Sequence, residues 1–235
     1  MVLGTNRSHV VSKNPKEDDC FLPPLHGLRT GTVGVEDLQV PEKTKKEYAE
    51  GCASLRNRKM AAAENHLRKA VNQYAKYSAA WVLLGQVLLA QQKTEDARLA
   101  CSRPLAANSN YLPAYLCLTD ISSRLNNWDE VLKLSTRALA IDPTTDAAAY
   151  AYNATAALNL NHLPEAEKSA LRALEIDSNH VEPRVHYLLA QIYEAKRDRA
   201  NEVAQLREYL KYSTDPKDTA TVRTYLAELD RKSRE

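Results

Sequence analysis

Small residues recur along this chain at a spacing that fits one pair of helices. Gly51, Gly85, Thr119, Ala154 and Ala190 stand 34, 34, 35 and 36 positions apart. Twelve positions after each come Ala63, Ala97, Val131, Ala166 and Glu202. Seven further on come Ala70, Pro104, Ala138, Ala173 and Tyr209. Four before each small residue are Glu47, Trp81, Tyr115, Tyr150 and His186. Trp81–Asn110 is the clearest copy: two amphipathic segments joined by a short turn. A helix pair of this size cannot bury its apolar face alone, so neighbouring pairs must stack. Small side chains on the first two ladders let paired helices approach closely, and the aromatic ladder fills the gap to the preceding pair.

These ladders resemble the tetratricopeptide repeat (TPR), a 34-residue pattern of an aromatic, Leu-Gly, Ala, Ala and Pro. The matching residues are Gly51, Ala63, Leu67 and Ala70, then Trp81, Leu84, Gly85 and Ala97. Tyr115, Leu118, Ala138 and Pro143 follow, then Ala154, Ala166 and Ala173, and last Leu189, Ala190 and Tyr193. The resemblance implies an all-α fold: an α-α superhelix of about five helix-turn-helix repeats. It also implies a concave groove lined by the first helix of each repeat.

The expected repeats span 44–77, 78–111, 112–146, 147–182 and 183–216 within an array over 41–235. Helices are expected over 43–56, 60–73, 78–91, 94–106, 112–125, 128–140, 146–159, 163–175, 182–195 and 199–212. A capping helix over 216–232 is signalled by Asp215 as N-cap and Pro216 at the first helical position. Its Val222, Tyr225, Leu226 and Leu229 share one face, suited to covering an open end of a stack. No glycine follows Gly85, so Asn and Asp are expected at the left-handed positions that end helices. Two residues depart from the pattern. Pro104 lacks an N–H and should end or kink its helix early. Glu202 replaces a small buried residue, which predicts a shifted register with Val203 inward.

Residues 1–40 hold four of the six glycines and read as loosely ordered, with one strand-like run, Thr32–Val40. A net charge of +2 gives no support to a nucleic-acid partner. Apolar runs such as Trp81–Ala90 are too short for membrane insertion. No signal peptide is visible. The join LQVPEKTKKEYAEG with the repeats after it resembles exported bacterial proteins in which a carboxypeptidase-regulatory-like sandwich precedes TPRs. That implies a cytoplasmic place by default and an exported one if the chain belongs to a longer protein. The four cysteines, 20, 52, 101 and 117, have no metal-type spacing. Cys101 and Cys117 fall on inward positions and read first as small buried hydrophobes, with a disulfide the lesser alternative.

No catalytic constellation is present: the sequence has no nucleophile elbow, zinc-protease pair or phosphate loop. His180 and His186 flank Glu182, a pattern that packing or surface histidines explain better than a metal or acid–base pair. Asn153-Ala154-Thr155 spells a glycosylation sequon inside a helix and reads as chance. No cofactor and no metal is expected. The remaining candidate is the groove. The resemblance places Tyr48, Cys52 and Leu55 there from the first repeat, and Val82, Gln86 and Leu89 from the second. Leu116 and Asp120, Ala151 and Thr155, and Arg184, Tyr187 and Gln191 continue it. A moderately apolar trough suits an extended peptide or a helix of another protein. Contact with the chain's own tail and homo-oligomer formation are the alternatives. Tyr48, Cys52, Leu83, Pro113 and Cys117 stand where carboxylate-gripping TPRs carry Lys, Asn and Arg, so binding of an acidic C-terminal tail is not expected. The expected function is a non-enzymatic interaction scaffold, or the repeat arm of an exported envelope protein.

Overall fold

The computed structural model describes Cys20 and residues 39–144, 147–177 and 183–232. Its elements are α1 Glu42–Arg56, α2 Met60–Gln73, α3 Ser78–Ala90, α4 Thr94–Ser102, α5 Leu112–Arg124 and α6 Trp128–Ile141. They continue as α7 Ala147–Asn159, α8 Leu163–Ile176, α9 Arg184–Ala195, α10 Arg199–Tyr212 and α11 Pro216–Lys232. The fold is all-α, and the described residues contain no strand. The expected strand-like run Thr32–Val40 lies outside the described residues except for Gln39 and Val40, and so does most of the segment 1–40. The chain divides into two compact units, Met1–Arg124 and Leu125–Glu235.

The ladders explain why the pairs close. Ala63, Ala97, Val131, Ala166, Ala70, Ala138 and Ala173 are wholly buried. Gly85 is obligatory in its place, because a Cβ there would stand 2.2 Å from Cys101 Sγ and 3.1 Å from the Ala97 carbonyl oxygen. At Gly51 the crowding is milder, 3.0 Å from Leu67 Cγ. The aromatic ladder does a second job beyond filling space. Trp81 Nε1 donates to Ala75 O at 2.8 Å, Tyr115 Oη to Ser109 O at 3.0 Å and Tyr150 Oη to Pro143 O at 3.1 Å. Each ring thereby ties its helix to the loop before it. At the two ends of the ladder the polar residues turn to the second helix instead: Glu47 Oε2 pairs with His66 Nδ1, and His186 Nδ1 with Gln205 Oε1, both at 2.8 Å.

In the first unit, α3 is buried on nearly every face, with Leu83, Leu84, Val87 and Leu88 at its centre. Pro104 ends α4 at Ser102, and a 3-10 turn over Arg103–Ala106 takes over. Arg103 lies over the Trp81 ring, 5.8 Å from its centroid. The second unit has a core of small residues, Ala154, Ala157, Ala166 and Ala170, filled by Leu188, Leu189 and Ile192.

The left-handed residues are Arg58, Gln92, Asn126, Asn161 and Arg197, one in each turn inside a helix pair. Only two are Asn and none is Asp, against the expectation. The hydrogen bonds account for this. Lys59 N donates to Ser54 O at 2.8 Å, and Arg58 N to Leu55 O at 2.8 Å. The same two bonds recur as Lys93 to Leu88 and Gln92 to Leu89, and as Asp198 to Tyr193 and Arg197 to Glu194. This paired motif satisfies the last carbonyls of the helix and offsets the roughly 1–2 kcal/mol cost of a left-handed side chain.

Glu202 also departs from expectation. It stays at the buried ladder position, 4% exposed, and Val203 beside it is half-buried. The register holds because Tyr225 of α11 reaches in: its hydroxyl donates to Glu202 Oε1 at 2.7 Å and lies 3.1 Å from Glu194 Oε1. Burial, and then these two carboxylates, push the Tyr225 phenol well above its usual range. Asp215 caps α11 by accepting from Lys217 N at 2.9 Å and Asp218 N at 3.2 Å. Val222 and Leu229 are buried against α10 and Ala190.

Candidate partner-binding groove

The candidate residues fall on the first helix of each pair, and the two units present them differently. In the first unit the α1 residues Tyr48, Cys52 and Leu55 are all buried, as are Val82, Gln86 and Leu89 on α3 and Leu116 on α5. Val82 and Leu116 are at most 1% exposed, so neither is offered to a partner. The Tyr48 ring packs at 44° to that of Tyr77, with centroids 5.0 Å apart. Asp120 is half-buried and accepts from Arg124 Nε at 3.2 Å.

The cysteines correct the first reading made of them. Cys20 is bonded to Cys52, and Cys101 to Cys117, leaving no free thiol. The Cα separations of 5.5 and 6.0 Å are those a disulfide spans. The second bridge joins α4 to α5, with Gly85 directly beneath Cys101. The first joins α1 to a residue outside the helix pairs. Cys52 is therefore a cross-link on the groove line and not a free recognition residue. The signal available in the sequence was the even number of cysteines and a glycine facing Cys101.

In the second unit the line is open. Ala151 and Thr155 on α7 are half-buried, and Arg184 and Gln191 on α9 are exposed. Tyr187 is 39% exposed, held from behind by Tyr209 at a centroid distance of 5.7 Å. Thr155 turns its hydroxyl back to Ala151 O at 2.8 Å. Behind this face lies a buried polar cluster. Asn153 Nδ2 donates to Ser135 Oγ and Thr136 Oγ1, both at 3.1 Å, and Asn153 Oδ1 accepts from Ser169 Oγ at 2.8 Å. The amide of the sequon is thus consumed inside the unit. At the end of α9, Lys196 pairs with Glu167 and holds its carboxyl below the usual range. Burial, with Glu167 beside it, pushes the Tyr193 phenol up to about 12.

His186 is 4% exposed and stacks on Tyr212 at 5.8 Å. His180 and Glu182 lie outside the described residues. No group of three or more metal-ligating side chains occurs among the described residues. Among them also no helix is long and apolar enough to cross a membrane.

No family model and no curated protein matches the sequence. Solved structures do. The type IV pilus biogenesis factor PilW superposes with a TM-score of 0.72 at 15% identity, over 83% of this chain and 89% of its own. A tetratricopeptide repeat protein from Parabacteroides merdae gives 0.67 at 14% identity, over 82% and 75%. TTC0263, a thermophilic TPR protein of Thermus thermophilus, gives 0.60 at 17% identity, over 79% and 98%. With the ladders, the paired helices and these likenesses together, the chain has the tetratricopeptide-repeat fold.

Proposed function

We propose that this chain is a non-enzymatic scaffold that receives another protein on the α7–α9 face of its second unit. The reading rests on the exposure of that face. Arg184, Tyr187 and Gln191 stand out at one-turn intervals on α9, with the small side chains of Ala151 and Thr155 on α7. A rigid aromatic flanked by a guanidinium and an amide is a composition enriched in recognition surfaces. Small residues beside it leave room for a partner's backbone or side chain. The test is crosslinked capture with the wild-type chain and with an Arg184→Ala/Tyr187→Ala/Gln191→Ala variant. The partner should be lost from the variant at unchanged helicity. An identical set of captured proteins would reject the face, and recovery of the chain itself alone would make the partner a second copy.

A second reading is favoured by one observation. All four cysteines are bridged, which is the pattern of chains that fold in oxidising compartments. On that reading the scaffold works outside the cytoplasm, as the repeat arm of an exported protein in the assembly or support of envelope structures.

A further inference from the structure

We propose that the break at Pro104 shapes a docking cleft in the first unit, which takes an apolar side chain with a carboxylate beside it from an acidic segment of a partner protein. The break leaves α4 with 9 residues, where α2, α6, α8 and α10 each have 14. The 3-10 turn that follows α4 carries Arg103 over the Trp81 ring. A cleft of about 140 Å³ lies there, with apolar walls of Trp81, Leu84, Leu88 and Leu99. That volume is close to the ~150 Å³ of a cavity that takes up benzene, so it suits one Phe or Leu side chain. Leu99, 60% exposed, is the most exposed large apolar side chain among the described residues. Its places in the other pairs hold Asn65, Lys133, Lys168 and Ala204, none of them a large apolar residue. The apolar wall therefore belongs to this pair and not to the repeat.

The charges around the cleft decide what stands beside that side chain. Arg68 and Asp96 also line it. Arg68 Nε donates to Glu64 Oε1 at 3.0 Å, and its guanidinium lies 3.8 Å from Asp96 Oδ2. Lys93 Nζ donates to the other oxygen of Glu64 at 2.7 Å. Two cations and two carboxylates thus balance along the α2 side. Arg103 is left over: among the described residues it lies over the Trp81 ring and pairs with no carboxylate. The ring holds the guanidinium in place without using its N–H donors, which suit the two oxygens of a carboxylate. A partner's Glu or Asp next to a Phe or Leu supplies both halves, whereas a Lys there meets Arg103 with like charge. This cleft belongs to the first unit alone and does not rest on the α7–α9 face.

NMR titration of the isotope-labelled full chain tests the cleft, with three capped tetrapeptides as probes: Gly-Phe-Glu-Gly, Gly-Phe-Gln-Gly and Gly-Phe-Lys-Gly. The Trp81 indole N–H and the Leu99 methyl signals should shift. The Glu peptide should bind about tenfold more tightly than the Gln peptide, the worth of one charge-assisted hydrogen bond, and the Lys peptide most weakly. Arg103→Gln should abolish the difference between Glu and Gln. Leu99→Ser should weaken both peptides alike. Both side chains are exposed, so helical circular dichroism should not change in either variant. Equal affinity for the Glu and Gln peptides in the wild-type chain, or a Glu preference that survives Arg103→Gln, would overturn the proposal. So would the absence of any shift at Trp81 and Leu99. Shifts there that grow with protein concentration before any peptide is added would make the occupant a second copy and reject the acidic partner.

Discussion

The two units are built from one repeat and end up doing opposite things with the same face. The first carries both disulfides, a Leu- and Val-rich α3 buried on nearly every face, and a groove line that is buried except at the half-buried Asp120. The described part of the second has an alanine core, a polar cluster around Asn153 and a line on which Tyr187, Arg184 and Gln191 stand exposed. The repeat pattern determines how helices pair, and both units obey it to the same degree. It says nothing of what lies on the face that pairing leaves over. On that face the first unit carries a cross-linked Cys52 and buried side chains, and the second carries Arg184, Tyr187 and Gln191 exposed.

The largest effect should come from removing the bridge that holds helix to helix. A Cys101→Ala/Cys117→Ala variant loses a cross-link closing a loop of 16 positions. The chain-entropy account puts that at about 3 kcal/mol. The loss should appear in the first unit alone. Hydrogen exchange should show α3–α5 opening at lower denaturant while α7–α9 keep their protection. Equal destabilisation of both units would mean that they unfold as one and that the contrast between them is only of surface.

How much of this was legible follows from where the information sits. Helix positions are set by side chains that touch their neighbours at fixed separations, so Ala63, Ala97 and Ala166 announce them directly. The Pro104 break was legible because a missing N–H acts locally. The pairing of Cys20 with Cys52 was not, because Cys20 lies outside the repeat and no period points to it. Glu202 was misread because its partner, Tyr225, comes from a helix with no counterpart earlier in the pattern. The left-handed residues were misread in three turns, since Arg58, Gln92 and Arg197 are held by backbone hydrogen bonds that any side chain permits. For the groove, the pattern placed the candidates on the first helix of each pair but carried nothing about which of them are exposed.

A second test strikes the other unit. Asn153→Ala would leave Ser169 Oγ without its acceptor and Ser135 Oγ without the amide that donates to it, at the junction of α6, α7 and α8. Orphaned buried hydrogen-bonding groups cost about 1–3 kcal/mol. Thermal unfolding followed by exchange in α6–α8 should show the loss there, with the cross-linked unit unmoved. If the variant is as stable as wild type, the cluster is not what firms the open unit, and the alanine core alone suffices.

The smallest effect should be the same in both units, and it probes what they share. Gln92 and Arg197 occupy equivalent left-handed turns, with φ of 64° and 59° and the same pair of closing hydrogen bonds. Glycine has no Cβ to strain there, so Gln92→Gly and Arg197→Gly should each stabilise by about 0.5–1 kcal/mol. Neither side chain is buried, and the backbone bonds survive the change. Paired denaturant titrations would read the two gains. Equal gains place the turns under the common repeat and the contrast between units in the groove line alone. A gain at Gln92 without one at Arg197 would mean that the difference extends into the backbone of the repeat.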